Sequence, residues 1–216
     1  FRVPDTVSFE EAAMTEPAAT VVKAIRKAPF EPGAVCVILG DGPIGLLGLQ
    51  AAEACGAGKL VLTGTVDAKL QLGHELGADV VVNVRRQDLQ EVIEDLTGGV
   101  GADYVMEASG SVEAMQQAVA IARMGGIVSV VGLPEIPVPE FDMGNVAVRD
   151  LNIITSVASP NVFPQTLRLM AKSKIRTRPL ISHELPLSET VKAFDLQINQ
   201  DRKSTRLNSS HSLLSR

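Results

Sequence analysis

Three glycines with the spacing G-x-G-x-x-G stand between an apolar run at residues 34–39 and a Leu- and Ala-rich stretch at residues 46–55. This arrangement predicts a buried strand, a tight turn and a helix. In such a turn Gly40 lets the chain leave the strand, Gly42 lets a pyrophosphate approach the backbone, and Gly45 lets the helix pack closely on the strand. Free N–H groups at the start of the helix would complete an anion site, so this segment is a candidate for binding the phosphates of a dinucleotide. Its residues are Gly40, Asp41, Gly42, Pro43, Ile44 and Gly45.

The same alternation of apolar runs and helical patterns continues along the chain. Further strands are predicted at residues 59–62, 79–84, 102–107, 127–131 and 151–155, and helices at 67–76, 88–96 and 112–124. Strands that alternate with helices form a parallel sheet with right-handed crossovers. We therefore predict an α/β fold, a Rossmann-type doubly wound parallel sheet of about six strands in the order 3-2-1-4-5-6. Such sheets bind ligands beyond the carboxyl ends of their strands.

The two ends of the chain differ from this central region. Ser8 and Glu11 have the spacing of a capping box and predict a helix that residues 14–17 interrupt and that resumes over residues 18–26. We divide the chain into a helical lead-in at 1–32, a nucleotide-binding domain at 33–200, and a tail at 201–216. The tail is basic, Ser-rich and without period, so we expect it to be disordered and not native to the protein.

Composition limits the classes of function. The 216 residues carry a net charge of −5 and only 3% aromatic residues with no Trp, which argues against nucleic acid as a partner. No signal peptide or membrane-spanning run is visible, so we expect a cytoplasmic protein without membrane contact. Cys36 and Cys55 are expected to be small core residues, and no tight metal-ligand spacing is present.

Taken together, the motifs resemble the cofactor-binding half of zinc-dependent medium-chain dehydrogenases, and within them the sorbitol or polyol type. Besides the glycine loop, the stretches that carry the resemblance include Pro4-Asp5, Glu16-Pro17, Glu75-Leu76-Gly77-Ala78-Asp79, Thr97-Gly98-Gly99, Gly125-Gly126-Ile127, Val131-Gly132-Leu133-Pro134 and Pro179-Leu180-Ile181-Ser182-His183. The resemblance covers residues 1–200 and implies that the lead-in at 1–32 joins an absent catalytic domain. It implies NADP or NAD as cofactor, oxidation of a secondary alcohol or polyol to a ketone, and zinc whose main ligands belong to the absent half. It also implies that this half is inactive by itself and that it self-associates as a dimer or tetramer.

Cofactor choice depends on the end of the second strand, where NAD-binding proteins carry an acid for the ribose 2′-OH. Here Gly64 stands at that position, and the nearest acid, Asp67, lies on the following turn. The missing carboxylate removes repulsion against a 2′-phosphate, while Gly64 and Thr65 offer donors and Lys69 offers a cation. We therefore expect NADP to be favoured. In the alternative interpretation Lys69 is a solvated helix charge and the chain discriminates little between NAD and NADP.

The resemblance assigns the remaining site residues, and none of them is a catalytic group. Ala108 and Ser109 would lie beside the riboses, the loop after the fifth strand would meet the nicotinamide carboxamide, and two residues after the sixth strand would lie near that ring. Glu16 would face the zinc, directly or through water. The residues after the fifth and sixth strands are Val131, Gly132, Leu133, Ser156 and Val157.

Two other functions stay open. One is a zinc-free quinone or enoyl reductase of the same superfamily, against which Glu16-Pro17 argues. The other is a non-catalytic nucleotide-binding domain. For any of the three we expect the apolar sixth strand, if it lies uncovered at the sheet edge, to promote pairing between copies.

Overall fold

A six-stranded, wholly parallel sheet forms the centre of the computed structural model, which describes residues 1–134, 141–200 and 213–215. Its order β3-β2-β1-β4-β5-β6 confirms the predicted doubly wound topology. The strands are β1 (Val35–Leu39), β2 (Lys59–Gly64), β3 (Val80–Asn83), β4 (Ala102–Glu107), β5 (Ala122–Val130) and β6 (Asn152–Thr155). A separate pair joins β7 (Glu184–Pro186) to β8 (Leu213–Ser215), and the rest of the predicted tail lies outside the described residues.

Helices connect the strands and cover both faces of the sheet. They are α1 (Phe9–Ala13), α2 (Thr15–Lys27), α3 (Pro43–Ala54), α4 (Asp67–Glu75), α5 (Leu89–Thr97), α6 (Val112–Ile121), α7 (Met143–Val148), α8 (Phe163–Ala171) and α9 (Thr190–Gln200). In the described part of the chain, no helix combines the length and the apolar character needed to cross a bilayer.

Alternate residues of each strand supply the two cores. On β1, Cys36 and Ile38 join the core that α2, α3, α4 and α8 cover, whereas Val37 and Leu39 join the core that α5 and α6 cover. This period of two is what a strand buried on both faces requires, and it explains the continuous apolar runs in the sequence. Because α2 shares the first core, the lead-in packs directly on the sheet.

The start of α2 differs from the prediction. Ser8 and Glu11 do form the capping box of α1, with the Glu11 amide 3.2 Å from Ser8 Oγ and the Ser8 amide 3.0 Å from Glu11 Oε2. However, only Met14 separates α1 from α2, and Pro17 lies within the first turn of α2. A proline is tolerated there because its missing N–H would have had no partner in the helix.

The boundary between α6 and β5 was also predicted wrongly. The helix stops at Ile121 and the strand begins at Ala122, although the sequence predicted helix as far as residue 124. The Arg149 guanidinium donates to the carbonyl oxygens of Val119, Ala120 and Ala122, so a distant side chain satisfies the end of the helix. The pairing of β5 with β4 then shifts register between Ala102 and Tyr104, and Gly125 and Gly126 lie in the extra length of β5.

The two cysteines have different environments. Cys36 is fully buried in β1, as predicted, and burial raises the pKa of its thiol to about 12. Cys55 is exposed, so its assignment to the core was wrong. It follows the last residue of α3, where the chain turns away from the core at Gly56.

Candidate functional site

The glycine loop lies at the carboxyl end of β1, between the strand and α3. Gly40 has a φ of +122°, and a Cβ there would lie 3.0 Å from the amide nitrogen of Ser109. A Cβ on Gly45 would overlap the carbonyl oxygen of Gly40. Only glycine fits these two positions, because one needs the left-handed region and the other is in contact with backbone.

Gly42 has the opposite surroundings. A Cβ added there would meet nothing within 4 Å. Gly42 is the N-cap of α3 and Pro43 is its first residue, so the open space lies in front of the positive end of a twelve-residue helix. An anion can therefore approach this backbone closely.

The Asp41 side chain connects the glycine loop to the end of β2. Its Oδ2 accepts hydrogen bonds from the amides of Thr65 at 2.8 Å and Val66 at 2.9 Å. A Cβ on Gly64 would overlap the Cβ, Cγ and Oδ2 of Asp41. The structure thus brings Asp41, Gly64 and Thr65 together, and it fills the space beside Gly64 with a carboxylate.

The charged groups of α4 lie beyond this contact. Asp67 accepts from Asn83 Nδ2 and from the Arg86 guanidinium, each at 2.6 Å, and these two bonds lower the pKa of its carboxyl below the ordinary value. The Asp67 carboxylate is therefore engaged by groups at and just after the end of β3. Lys69 is half-buried in the first turn of α4, and within the described part of the chain its ammonium group has no hydrogen bond or ion pair.

Glu107 was predicted only as a strand residue. Its side chain in fact holds the turn that follows β4. This buried carboxylate accepts through Oε1 from the amides of Ser109 and Gly110, both at 2.8 Å, and from Ser109 Oγ at 2.7 Å. Its carbonyl oxygen accepts from the amides of Val131 and Gly132, both at 2.9 Å. The sequence signal that could have identified Glu107 is an acid at the end of an apolar strand, directly before Ala108-Ser109-Gly110.

These bonds place the end of β4 against the loop after β5. A Cβ on Gly132 would overlap Glu107 Oε2, and Gly110, at φ +74°, lies close to the carbonyl oxygen of Leu133. The Val131 and Gly132 amides are already engaged, while the Leu133 side chain is 72% exposed. Ala108 donates its amide to the Leu39 carbonyl and so holds β4 beside the glycine loop.

Two buried oxygens at this edge of the sheet have no hydrogen-bond partner in the described part of the chain. They are Glu107 Oε2 and Ser156 Oγ, which lie at the carboxyl ends of β4 and β6. Buried polar atoms are almost always hydrogen-bonded, so unpaired oxygens of this kind are unusual. The hydroxyl oxygens of Tyr104 and Ser129, within β4 and β5, are likewise buried without a partner among the described residues.

Glu16 lies on the neighbouring helix. Lys23 and Lys27 of α2 donate to the carbonyl oxygens of Val157 and Thr155, so α2 runs antiparallel to β6 and its N-terminus reaches the carboxyl edge of the sheet. There Ser159 Oγ lies 3.4 Å from Glu16 Oε1. Among the described residues no group of three or more His, Cys, Asp or Glu side chains could hold a metal ion, so these residues do not fit a zinc site by themselves.

Comparison with known proteins gives concordant matches. A family model described as zinc-binding dehydrogenase matches residues 43–172. The D-arabitol-phosphate dehydrogenase of Enterococcus avium is 38% identical over 197 residues, covering 89% of this chain and 56% of that protein. The sorbitol dehydrogenase of Bacillus subtilis (strain 168) is 32% identical over 198 residues, covering 90% of this chain and 55% of that protein.

A solved structure agrees in fold. It is a protein of Sinorhizobium meliloti 1021 bound to NADP, with a TM-score of 0.81 and 28% identity over 99% of this chain and 60% of that one. The chain spans little more than half the length of the curated relatives it matches.

Proposed function

The chain belongs to the zinc-binding dehydrogenase family, and from this premise we propose that it is the cofactor-binding part of an enzyme that oxidises an alcohol or polyol with NAD or NADP. The observation that carries the proposal is the open backbone at Gly42 in front of α3, at the carboxyl edge of a doubly wound sheet. The bound nicotinamide would take up the hydride that leaves the alcohol. The names of the sorbitol and arabitol-phosphate relatives support the substrate class.

The residues that would hold the cofactor form four groups along the strand ends. The glycine loop and α3 would bind the pyrophosphate, and the end of β2 would bind the adenosine ribose. The ends of β4, β5 and β6 would line the nicotinamide side. The set is Gly40, Asp41, Gly42, Pro43, Ile44, Gly45; Gly64, Thr65, Lys69; Ala108, Ser109; and Val131, Gly132, Leu133, Ser156, Val157.

Zinc enters the proposal only through Glu16. Its carboxylate is exposed at the same edge of the sheet, beside Ser159, and it could contribute one ligand or one hydrogen-bonded water to a metal held by groups outside the described residues. We accordingly expect this chain to bind nucleotide and to leave alcohols unoxidised.

Self-association and location complete the proposal. β6 is an edge strand, and Val148 and Val157 beside it are 81% and 59% exposed. An apolar edge of this kind favours pairing with a second copy. Light scattering after size exclusion tests this, and a monomer at high protein concentration would contradict it. The cytoplasmic location stays a prediction.

Titration with NADH tests the cofactor site directly. The fluorescence of the nicotinamide should change on binding to the 216-residue chain, and Gly42→Ala should weaken binding about tenfold or more because the methyl group would stand in the path of the pyrophosphate. The same substitution meets no protein atom, so the melting temperature should change little. A chain that binds neither NADH nor NADPH would contradict the proposal. The alcohol-oxidising part is tested on the product of the whole reading frame that encodes these residues, with sorbitol and arabitol phosphate as substrates.

A further inference from the structure

The end of β2 lacks an acid in the sequence but not in three dimensions. Gly64 occupies the position from which an acid usually reaches the adenosine ribose. The Asp41 side chain occupies the space into which a Gly64 side chain would project, as its overlap with a Cβ there shows. A carboxylate therefore stands at the end of β2 although it comes from the glycine loop.

Only one of the two carboxylate oxygens of Asp41 is hydrogen-bonded within the described residues. Both amide donors, Thr65 and Val66, bond to Oδ2. Within the described residues Oδ1 accepts no hydrogen bond, so it is left to receive a hydroxyl from a ligand. A carboxylate accepts several hydrogen bonds at once, and a ribose 2′-OH is a suitable donor.

The same contacts work against a 2′-phosphate. The amides of Thr65 and Val66 could have bound phosphate oxygens, but Asp41 already uses them. A phosphate would also meet the carboxylate at close range, where like charges repel. Arg86 is paired with Asp67, and within the described residues no cation forms an ion pair with Asp41.

We propose that Asp41 is the residue that selects NAD over NADP, by accepting the ribose 2′-OH and excluding the 2′-phosphate, and that Gly64 is glycine because Asp41 needs its space. This inference rests on the proposed cofactor-binding function. It reverses the preference for NADP that Gly64, Thr65 and Lys69 led us to expect from the sequence.

The test uses the 216-residue chain and paired titrations with NADH and NADPH, with competition by 5′-AMP and adenosine 2′,5′-bisphosphate to isolate the ribose end. The wild-type chain should bind NADH about tenfold or more tightly than NADPH. Asp41→Asn keeps an oxygen for the two amides and removes the charge, so the preference should shrink to about threefold or less. Asp41→Ser is shorter and should free the amides, so NADPH should become the tighter ligand. Asp95→Asn, which removes an equal charge from an exposed position on α5, should leave the ratio unchanged.

The outcomes separate this inference from the function on which it rests. A chain that binds neither nucleotide overturns both. A chain that binds NADPH as tightly as NADH, or Asp41 variants that keep the wild-type ratio, overturn the role of Asp41 and leave the cofactor site standing. If Asp41→Ser lowers the melting temperature so far that it cannot be titrated, the near-isosteric Asp41→Asn decides the question.

Discussion

Gly45 in the first turn of α3 lies in contact with Gly40 at the end of β1, so close that a methyl group on Gly45 would occupy the position of the Gly40 carbonyl oxygen. Three residues earlier, a methyl group on Gly42 would meet no protein atom within 4 Å. The loop therefore contains glycines of two kinds, one whose side-chain position is filled by backbone and one whose side-chain position is open.

Substitution at Gly45 should damage the fold. Gly45→Ala forces α3 away from β1 and should lower the free energy of unfolding by about 3 kcal/mol or more. Urea denaturation followed by circular dichroism measures this. Gly42→Ala is the matched control, with a loss of about 1 kcal/mol or less from the poorer N-cap. Equal stability of the two variants would contradict the packing described for Gly45.

Removal of the Glu107 carboxylate should also destabilise the chain. Glu107→Ala leaves the Ser109 and Gly110 amides and the Ser109 hydroxyl without their acceptor, at a cost of about 3 kcal/mol. Glu107→Gln keeps one acceptor oxygen and should lose less than half as much. Urea unfolding distinguishes the two, and an Ala variant as stable as the wild type would show that these bonds contribute nothing.

Asp103, on β4, links β1 to β5 at the end of the sheet opposite to the glycine loop. It accepts from the Val35 amide at 2.8 Å and from Arg123 Nε at 2.6 Å. Asp103→Ala should therefore cost about 1–3 kcal/mol of stability. Asp103→Asn retains an acceptor for Val35 and should fall between. If the Asn variant proved as unstable as the Ala variant, the ion pair with Arg123 rather than the amide bond would carry the effect.

Thiol labelling should distinguish the two cysteines. Under native conditions a disulfide reagent should modify the exposed Cys55 quickly and the buried Cys36 only after unfolding. The Cys55→Ser variant should then show almost no reaction until urea is added. Rapid labelling of both thiols in the native protein would contradict the burial of β1.

Alkaline pH should weaken the fold through Cys36. Burial raises the pKa of its thiol from 9.0 to about 12, so the folded state holds the proton more tightly than the unfolded chain. The resulting stability is fully present below pH 9.0 and is lost as pH rises towards about 12. Unfolding by urea at several pH values should show this decline, and Cys36→Ala should make it shallower. Identical pH slopes for the two proteins would count against the shifted pKa.

The apolar runs were sufficient to predict the sheet, because strands buried on both faces are continuous in sequence and two βαβαβ halves give the doubly wound order. Contacts between distant residues were not predictable in this way. Arg149 ends α6 from 27 residues away, and Asp41 reaches the Thr65 amide 24 residues further along the chain. Glu107 was missed because its role depends on donors from a turn and a loop that meet only in the folded chain.

The hydrogen bonds of Glu107 tie the turn at Ser109 to the start of the loop at Val131, through its side chain on one side and its carbonyl oxygen on the other. If the crevice binds a nucleotide as proposed, these backbone segments would need no rearrangement. Binding then loses little conformational entropy in these backbone segments. The association rate should accordingly be set by the orientation in which the two molecules meet rather than by the time that a loop needs to close.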